Sequence, residues 1–370
     1  MSRRVLQLGM VGGGSGAFIG AVHRLAAQLD GEARLVAGAL SSTAERAMMS
    51  GREIGLARER TYPDWRTMLN AERTRPDPID AVVIVTPNHA HFEPALASIE
   101  AGFHVAIDKP MVIEPAHATA LEAAAAKHGR VVAVTYNYTG YPLVRAARER
   151  IARGDLGTVR KVIVEYHQGW LATDLAGSGQ KQAAWRGDPA LAGAGALGDI
   201  GTHAENLAKF VTGLKIESLA AEVRTIVPGR RVDDDALVRL RFAGGAIGHI
   251  SLSQVCVGEE NGLTLRVYGD KGGLSWRQEQ PNELGVNSLE GERRVITRGS
   301  AAAGPMAAAG TRLPPGHPEG FIEAFANVYR GIFSAIRGEG DAVYPDVSEG
   351  AAGVRFVDGA LRSGGQWVDV

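Results

Sequence analysis

Short runs of consecutive apolar residues alternate with stretches of helical spacing over the first third of the chain. Val5–Val11, Arg34–Leu40, Ala81–Thr86, His104–Ile107 and Val131–Tyr136 are strand-length and rich in Val, Ile and Ala. Runs apolar on both faces belong in a sheet covered on both sides. Between them, Ala17–Leu29, Thr43–Ile54, Trp65–Ala71, Phe92–Ala101 and Pro115–His128 carry helical spacing. That alternation predicts right-handed βαβ units in a doubly wound parallel sheet ending near Tyr136. The texture then changes. Arg145–Arg153 and His203–Val211 read as helices and Val159–His167 as a strand; from Ile216 to Trp276 strand follows strand. Ala236–Phe242, Ala246–Val255 and Leu263–Gly269, separated by turn residues, read as hairpins of an antiparallel sheet. Ser300–Gly320, rich in Ala, Gly and Pro, reads as a long loop. Two helices, Glu319–Arg337 and Ser348–Ser363, follow it. The expected class is α/β: a doubly wound domain over residues 1–136, then an α+β domain over 137–370 with a large, mainly antiparallel open sheet. The last helices are expected to pack back on the first domain.

A length of 370 residues suits two domains. A formal net charge of −1 points away from nucleic acid and from an anionic membrane as partners. The single cysteine, Cys256, cannot form an internal disulfide, and its apolar run marks it as a small buried hydrophobe. Arg3 and Arg4 precede an apolar run broken by Gln7, which reads as a first strand rather than an export signal. No apolar run approaches the ~18 residues that a membrane span requires. The expectation is a cytoplasmic protein.

Chemistry first shows in the loop Gly12-Gly13-Gly14-Ser15-Gly16-Ala17-Phe18-Ile19-Gly20. Between a strand and a helix, such a loop brings backbone amides and a helix N-terminus to a pyrophosphate. The spacing Gly12-x-Gly14-x-x-Ala17 fits a dinucleotide fingerprint, although the extra glycines leave the register open. Gly12, Gly14, Ser15, Gly16, Ala17, Phe18 and Ile19 are the expected cofactor contacts. An acid usually marks the end of the second strand in an NAD site; here the chain reads Ser41-Ser42-Thr43-Ala44-Glu45-Arg46. Ser41, Ser42 and Arg46 suit a 2′-phosphate, which favours NADP(H) with NAD(H) as the alternative. Ser41–Thr43 also read as a helix cap, with Arg46 on a solvated face.

Two further motifs stand out. Asp108-Lys109-Pro110 follows a strand of the parallel sheet, where such sheets place ligands. Asp199 and His203 close a glycine-rich run at a spacing that puts both on one helical face. With the glycine loop, these resemble the glucose–fructose oxidoreductase and inositol dehydrogenase family (Gfo/Idh/MocA), with Asp108 where the family usually has Glu. Thr86-Pro87-Asn88 with His91, Asn137-Tyr138 and Ala184-Trp185-Arg186 match it in the same order, over essentially the whole chain.

The resemblance implies a Rossmann cofactor domain and hydride transfer between nicotinamide C4 and a secondary alcohol or ketone carbon of a sugar, sugar derivative or cyclitol. It implies Lys109, Asp199 and His203 as catalytic residues. Thr86, Pro87, Asn88, His91, Asp108, Lys109 and Asn137 would lie along the cofactor. A histidine near its ordinary pKa of about 6.5 suits removal of a hydroxyl proton, and a lysine suits the developing alkoxide. The expected substrate contacts are Lys109, Tyr138, His167, Trp170, Lys181, Trp185, Arg186, Asp199, His203 and His317. His167 with Asp199 and His203 lacks the cysteines or HExxH pattern of zinc sites, so no metal is expected. The resemblance also implies a homodimer or homotetramer assembled through the second-domain sheet, whose Ile247–Val257 run is apolar. Two rival readings are a non-catalytic nucleotide-binding regulator, which would lack Lys109 or His203, and an NAD-dependent redox-assisted glycosidase, which generally carries an export signal.

Overall fold

The computed structural model describes residues 3–173, 188–340 and 342–370. The chain divides into two compact units, Met1–Asn137 with Phe325–Ala351, and Tyr138–Ala324 with Ala352–Val370.

In the first unit, β1 (Leu6–Gly12), β2 (Ala33–Ala39), β3 (Ala81–Val85), β4 (His104–Ile107) and β5 (Val132–Val134) form one sheet in the order β2-β1-β3-β4-β5. All four pairings are parallel. The connecting helices are α1 (Phe18–Gln28), α2 (Ala44–Glu53), α3 (Trp65–Glu72), α4 (Phe92–Glu100) and α5 (Pro115–His128). Every residue of β3 is buried, as the unbroken Ala81-Val-Val-Ile-Val run requires. Both sheet edges are extended by single bridges, Thr61 parallel to Gly38 beyond β2 and Asp346 antiparallel to Ala133 beyond β5. The strand order reverses between β1 and β3, and a doubly wound sheet binds ligands at the carboxyl ends of strands at such a point. The glycine loop leaves β1 there.

The second unit holds a nine-stranded sheet in the order β13-β12-β11-β10-β6-β9-β8-β7-β14. Its strands are β6 (Val159–His167), β7 (Ile216–Arg224), β8 (Asp235–Phe242), β9 (Ile247–Ser253), β10 (Gly262–Gly269), β11 (Gly272–Arg277), β12 (Glu283–Ser288), β13 (Arg293–Thr297) and β14 (Val368–Asp369). Among the described strands of this sheet, only β6 and β9 pair in parallel. One face is a core, seen in the alternation of β8, where Ala236, Val238, Leu240 and Phe242 are buried and the residues between them are not. Helix α6 (Pro142–Ala152) starts three residues before the expected Arg145, because Pro142 suits the first turn of a helix. Helix α7 (Thr202–Thr212) lies against β6 and β10. The final helices are α8 (Phe321–Ile336) and α9 (Val347–Ser363).

Two expectations need correction. β12 and β13 were not anticipated: β13 buries a single residue, Ile296, so its sequence carries almost no apolar alternation. Ser300–Gly320 is not a structureless loop either. It contains a 3₁₀ turn at Ala301–Ala303 and a short helix at Pro305–Ala309, started by Pro305 at its first turn. Among the described residues, no helix is long and apolar enough to cross a membrane.

Candidate active site

In the first unit, β1 runs into three glycines with left-handed backbone, Gly12 (φ 80°), Gly13 (φ 67°) and Gly16 (φ 77°). The closest approach of loop to helix is at Gly20. A Cβ there would lie 2.2 Å from the Gly13 carbonyl oxygen. Gly20, rather than Ala17, thus makes the close loop–helix packing that a fingerprint glycine provides. A Cβ on Gly14 would lie 2.5 Å from the Leu40 oxygen, whereas one on Gly16 would meet nothing within 4 Å, so the loop is open at Gly16.

Several loop amides are already engaged. Gly14 N–H donates to Leu40 O (3.1 Å) and Ala17 N–H to Gly14 O (3.0 Å). Ser15 N–H donates to Ser50 Oγ at 3.1 Å, and the Ser15 hydroxyl donates to Glu53. Ala17 sits at the N-cap of α1 and supplies no side-chain cap. The first-turn amides of Phe18 and Ile19 are thus the donors that an anion would meet. At the end of β2, Ser41 is half-buried, and Ser42 and Arg46 are exposed. Thr43 is the N-cap of α2 but makes no side-chain cap bond, so the expected capping role is not seen.

After β3, Thr86 and Pro87 lead into a 3₁₀ turn at Asn88–Ala90, closed by Thr86 Oγ1 donating to Ala90 O at 3.1 Å. Asn88 is buried there. His91, also buried, holds Nδ1 2.9 Å from Pro110 O and Nε2 2.9 Å from Thr86 O. It ties the segment after β3 to the segment after β4 and turns neither nitrogen outward. Burial pushes its imidazole below the ordinary value, against the opposing pull of Asp108 and the carbonyls.

Asp108 extends the β4 ladder, its N–H donating to Ile84 O at 2.9 Å, and the Lys109–Pro110 bond is cis. Burial raises the Asp108 carboxyl, yet the facing His23 imidazole and the Lys109 charge outweigh it and hold the group below the usual carboxylate range. Asn137 is buried, and its Nδ2 has no hydrogen-bond partner among the described residues. A buried donor without a partner is costly unless a ligand satisfies it. That donor and the glycine cradle, open at Gly16, fit a dinucleotide.

In the second unit the glycine-rich run precedes a π-helical turn, Leu197–Gly201, which leads into α7. Such turns concentrate at functional sites. Sequence reasoning missed what fixes this one. The Asp233 carboxylate accepts from Gly195 N–H and Leu197 N–H, each at 2.7 Å, and Asp233 O accepts from Ala196 N–H at 2.9 Å. A Cβ on Gly195 would sit 1.8 Å from that same oxygen, so only glycine fits. Burial raises the Asp233 carboxyl, and the two amides oppose this.

Asp199 lies on the π turn and His203 on the first turn of α7. Gln254 Nε2 donates to Asp199 Oδ2 at 2.9 Å and to Gln168 Oε1 at 3.2 Å, and Trp170 Nε1 donates to Gln168 Oε1 at 2.9 Å. The buried His203 ring meets the Tyr138 ring edge to face, centroids 4.7 Å apart. The Tyr138 and Tyr166 hydroxyls are 2.6 Å apart. Tyr166 donates to Asn261 Oδ1 (2.7 Å), which also accepts from Gln168 Nε2 (2.9 Å), and Asn261 Nδ2 donates to Tyr138 Oη (3.1 Å). With Tyr166 spending its proton on Asn261, Tyr138 donates to Tyr166 and the cycle closes. Burial raises the Tyr138 phenol, which stays protonated.

Gln168, Gln254, Asn261 and Tyr166 had no motif to announce them. Only Tyr166 carried a signal, sharing the buried alternation of Val162 and Val164. By the same alternation His167 points to the other sheet face, where Nε2 lies 2.9 Å from Ser251 Oγ, away from His203. The His317 side chain is exposed, on a segment after β13. Lys181, Trp185 and Arg186 lie outside the described residues.

These features have counterparts among known proteins. The sequence profile described as "Oxidoreductase family, NAD-binding Rossmann fold" matches residues 6–136. That of the "GFO/IDH/MocA C-terminal domain" matches residues 144–275. The chain is 35% identical to the uncharacterized oxidoreductase YfiI of Bacillus subtilis (strain 168), over 98% of this chain and 96% of that protein. It is 29% identical to the levoglucosan dehydrogenase of Pseudarthrobacter phenanthrenivorans, over 99% of this chain and 98% of that protein. The crystal structure of an inositol dehydrogenase homolog from Azotobacter vinelandii, complexed with NADH and myo-inositol, superposes with a TM-score of 0.93 at 35% identity, covering 99% of this chain and 98% of that one. The chain is a member of the Gfo/Idh/MocA family of NAD-binding oxidoreductases.

Proposed function

We propose that this oxidoreductase interconverts a secondary hydroxyl and a ketone on a cyclitol or cyclic sugar. The observation that carries this reading is the polar cage around Asp199 and His203, built from Gln254, Gln168, Trp170, Asn261 and Tyr138. Hydrogen-bonding amides beside aromatic faces suit a ring bearing many hydroxyls. Relatives named for levoglucosan and inositol support the same class.

His203 takes the hydroxyl proton during oxidation and returns it during reduction. Asp199, held by Gln254, orients that imidazole and favours its charged form. Lys109 donates to the substrate oxygen and stabilises its alkoxide character. Asn137 and the first turn of α1 would hold the dinucleotide, whose nicotinamide would supply or accept the hydride at C4. The test is a panel of cyclitols, cyclic sugars and their keto forms, followed by the absorbance of the reduced nicotinamide. Turnover of a glycoside without net change in cofactor would point instead to redox-assisted cleavage, and no turnover at all to a regulator.

Between the two cofactors we favour NADP(H). No acid stands at Ser41–Thr43, and Arg46 is exposed with no ion pair among the described residues. A charge-assisted bond to a 2′-phosphate contributes about 1.5–3 kcal/mol. Arg46→Ala is therefore expected to weaken NADPH relative to NADH by about tenfold or more in fluorescence titrations. Tighter binding of NADH by the parent, with a ratio that Arg46→Ala leaves unmoved, would overturn the preference.

The outer face of the nine-stranded sheet exposes Leu237, Ile247 and Tyr268. Exposed apolar residues on one sheet face suit a second copy of the chain, and analytical ultracentrifugation is expected to report two or four chains. A monomer at micromolar concentration would refute this.

A further inference from the structure

Behind the Asp108-Lys109 segment, within the first unit, lies a polar chain to which hydride transfer assigns no role. His23, on α1, is fully buried. Its Nδ1 is 2.6 Å from the hydroxyl of Tyr329 on α8, itself buried. Its Nε2 faces Asp108 Oδ1 at 3.6 Å. The same carboxylate oxygen lies 3.3 Å from Thr135 Oγ1. Phe325 closes one side of the imidazole, edge to face at 5.2 Å.

These contacts fix the protons. An ionised carboxylate only accepts, so the nitrogen turned toward it is the one that carries hydrogen. In the neutral imidazole Nδ1 then holds the lone pair, and Tyr329, whose phenol burial keeps protonated, donates to it. The opposite tautomer would aim a lone pair at a carboxylate in a water-poor interior, where such repulsion is strong.

We propose that His23 and Tyr329 are positioning residues: Tyr329 fixes the Nε2–H tautomer of His23, and His23 holds the Asp108 carboxylate so that the adjoining Lys109 is presented correctly to the substrate oxygen. The proposal rests on the role given above to Lys109. Asp108 meets His23 at 3.6 Å and accepts a hydrogen bond from Thr135 Oγ1 at 3.3 Å.

The test compares His23→Gln, His23→Asn, His23→Leu and Tyr329→Phe. A Gln amide nitrogen reaches the place of Nε2, whereas Asn reproduces only the Nδ1 side. His23→Leu and His23→Asn are expected to lower kcat on the order of ten- to a hundredfold, with KM and cofactor affinity changed by less than about threefold. His23→Gln should recover to within about threefold of the parent. Nitrogen-15 NMR of histidine-labelled protein, with His23→Gln assigning the signal, should show the Nε2–H tautomer in the parent and a shift toward Nδ1–H in Tyr329→Phe. Equal activity of the Asn and Gln variants, or an Nδ1–H tautomer in the parent, would overturn the proposal. The tautomer is read without substrate. A parent inactive on every cyclitol and sugar would therefore sink the functional reading while leaving the tautomer result to stand or fall separately. A variant that fails to fold leaves the parent spectrum and the remaining variants to decide.

Discussion

His203→Ala is expected to lower kcat/KM for alcohol oxidation by about 10²–10⁴-fold, the usual contribution of a positioned acid/base. Lys109→Ala is expected to lower it by about 10²–10³-fold, the usual contribution of one donor to a developing oxyanion. The two losses differ in character. Without His203 the hydroxyl proton must leave to solvent, so the deficit should shrink as pH rises and hydroxide substitutes for the base. Without Lys109 the alkoxide itself is unsupported, and raising the pH brings little relief. Asp199→Asn keeps the bond from Gln254 Nε2 through its amide oxygen but removes the charge that favours the imidazolium, so its loss should be smaller than that of His203→Ala. Steady-state kinetics at saturating cofactor, with affinity measured in parallel, separates these effects from misfolding. Retention of activity to within a few-fold by both alanine variants would end the assignment.

The architecture was legible where burial writes a period into the sequence. β3 and β4 are continuous apolar runs, and β8 alternates, because a doubly covered sheet and a half-covered sheet demand those patterns. β12 and β13 escaped because exposed strands near the sheet's edge bury too few residues to leave a pattern. The chemistry divides in the same way. Lys109, Asp199 and His203 sit in compact local motifs, so order and spacing along the chain revealed them as candidates. The groups that hold them in place come from far along the chain. Asp233 reaches Gly195 across 38 positions, Gln254 reaches Asp199 across 55, and Tyr329 reaches His23 across 306. No periodicity records such contacts. The glycine run before Asp199 was visible, but its reason, the Asp233 carbonyl where a Cβ would stand, exists only in the fold.

Arg298→Ala is expected to destabilise the second unit by about 3–5 kcal/mol, the cost of leaving a buried charge without its partner. The Arg298–Glu319 ion pair is 2.9 Å long, with side chains 3% and 1% exposed. All five guanidinium protons are engaged. Nε donates to Asn282 Oδ1 (2.8 Å), Nη1 to Glu319 Oε1 and Leu313 O (2.9 and 2.8 Å), and Nη2 to Pro314 O (3.1 Å) and to His317 O. Glu319 Oε1 also accepts from the Arg312 and Leu313 amides, each at 2.7 Å. The segment carrying His317 is therefore clamped in place, since opening it would break these bonds together. Arg298→Lys should recover less than half of the loss, because an ammonium has three donors and no planar fork. Arg298→Met with Glu319→Leu should be more stable than Arg298→Met alone, since the second change removes the stranded carboxylate. Urea denaturation reads the energies, and limited proteolysis at residues 310–320 reads the release of the segment. A loss under about 1 kcal/mol for Arg298→Ala, or no gain from the second substitution, would show that the clamp is not what holds it.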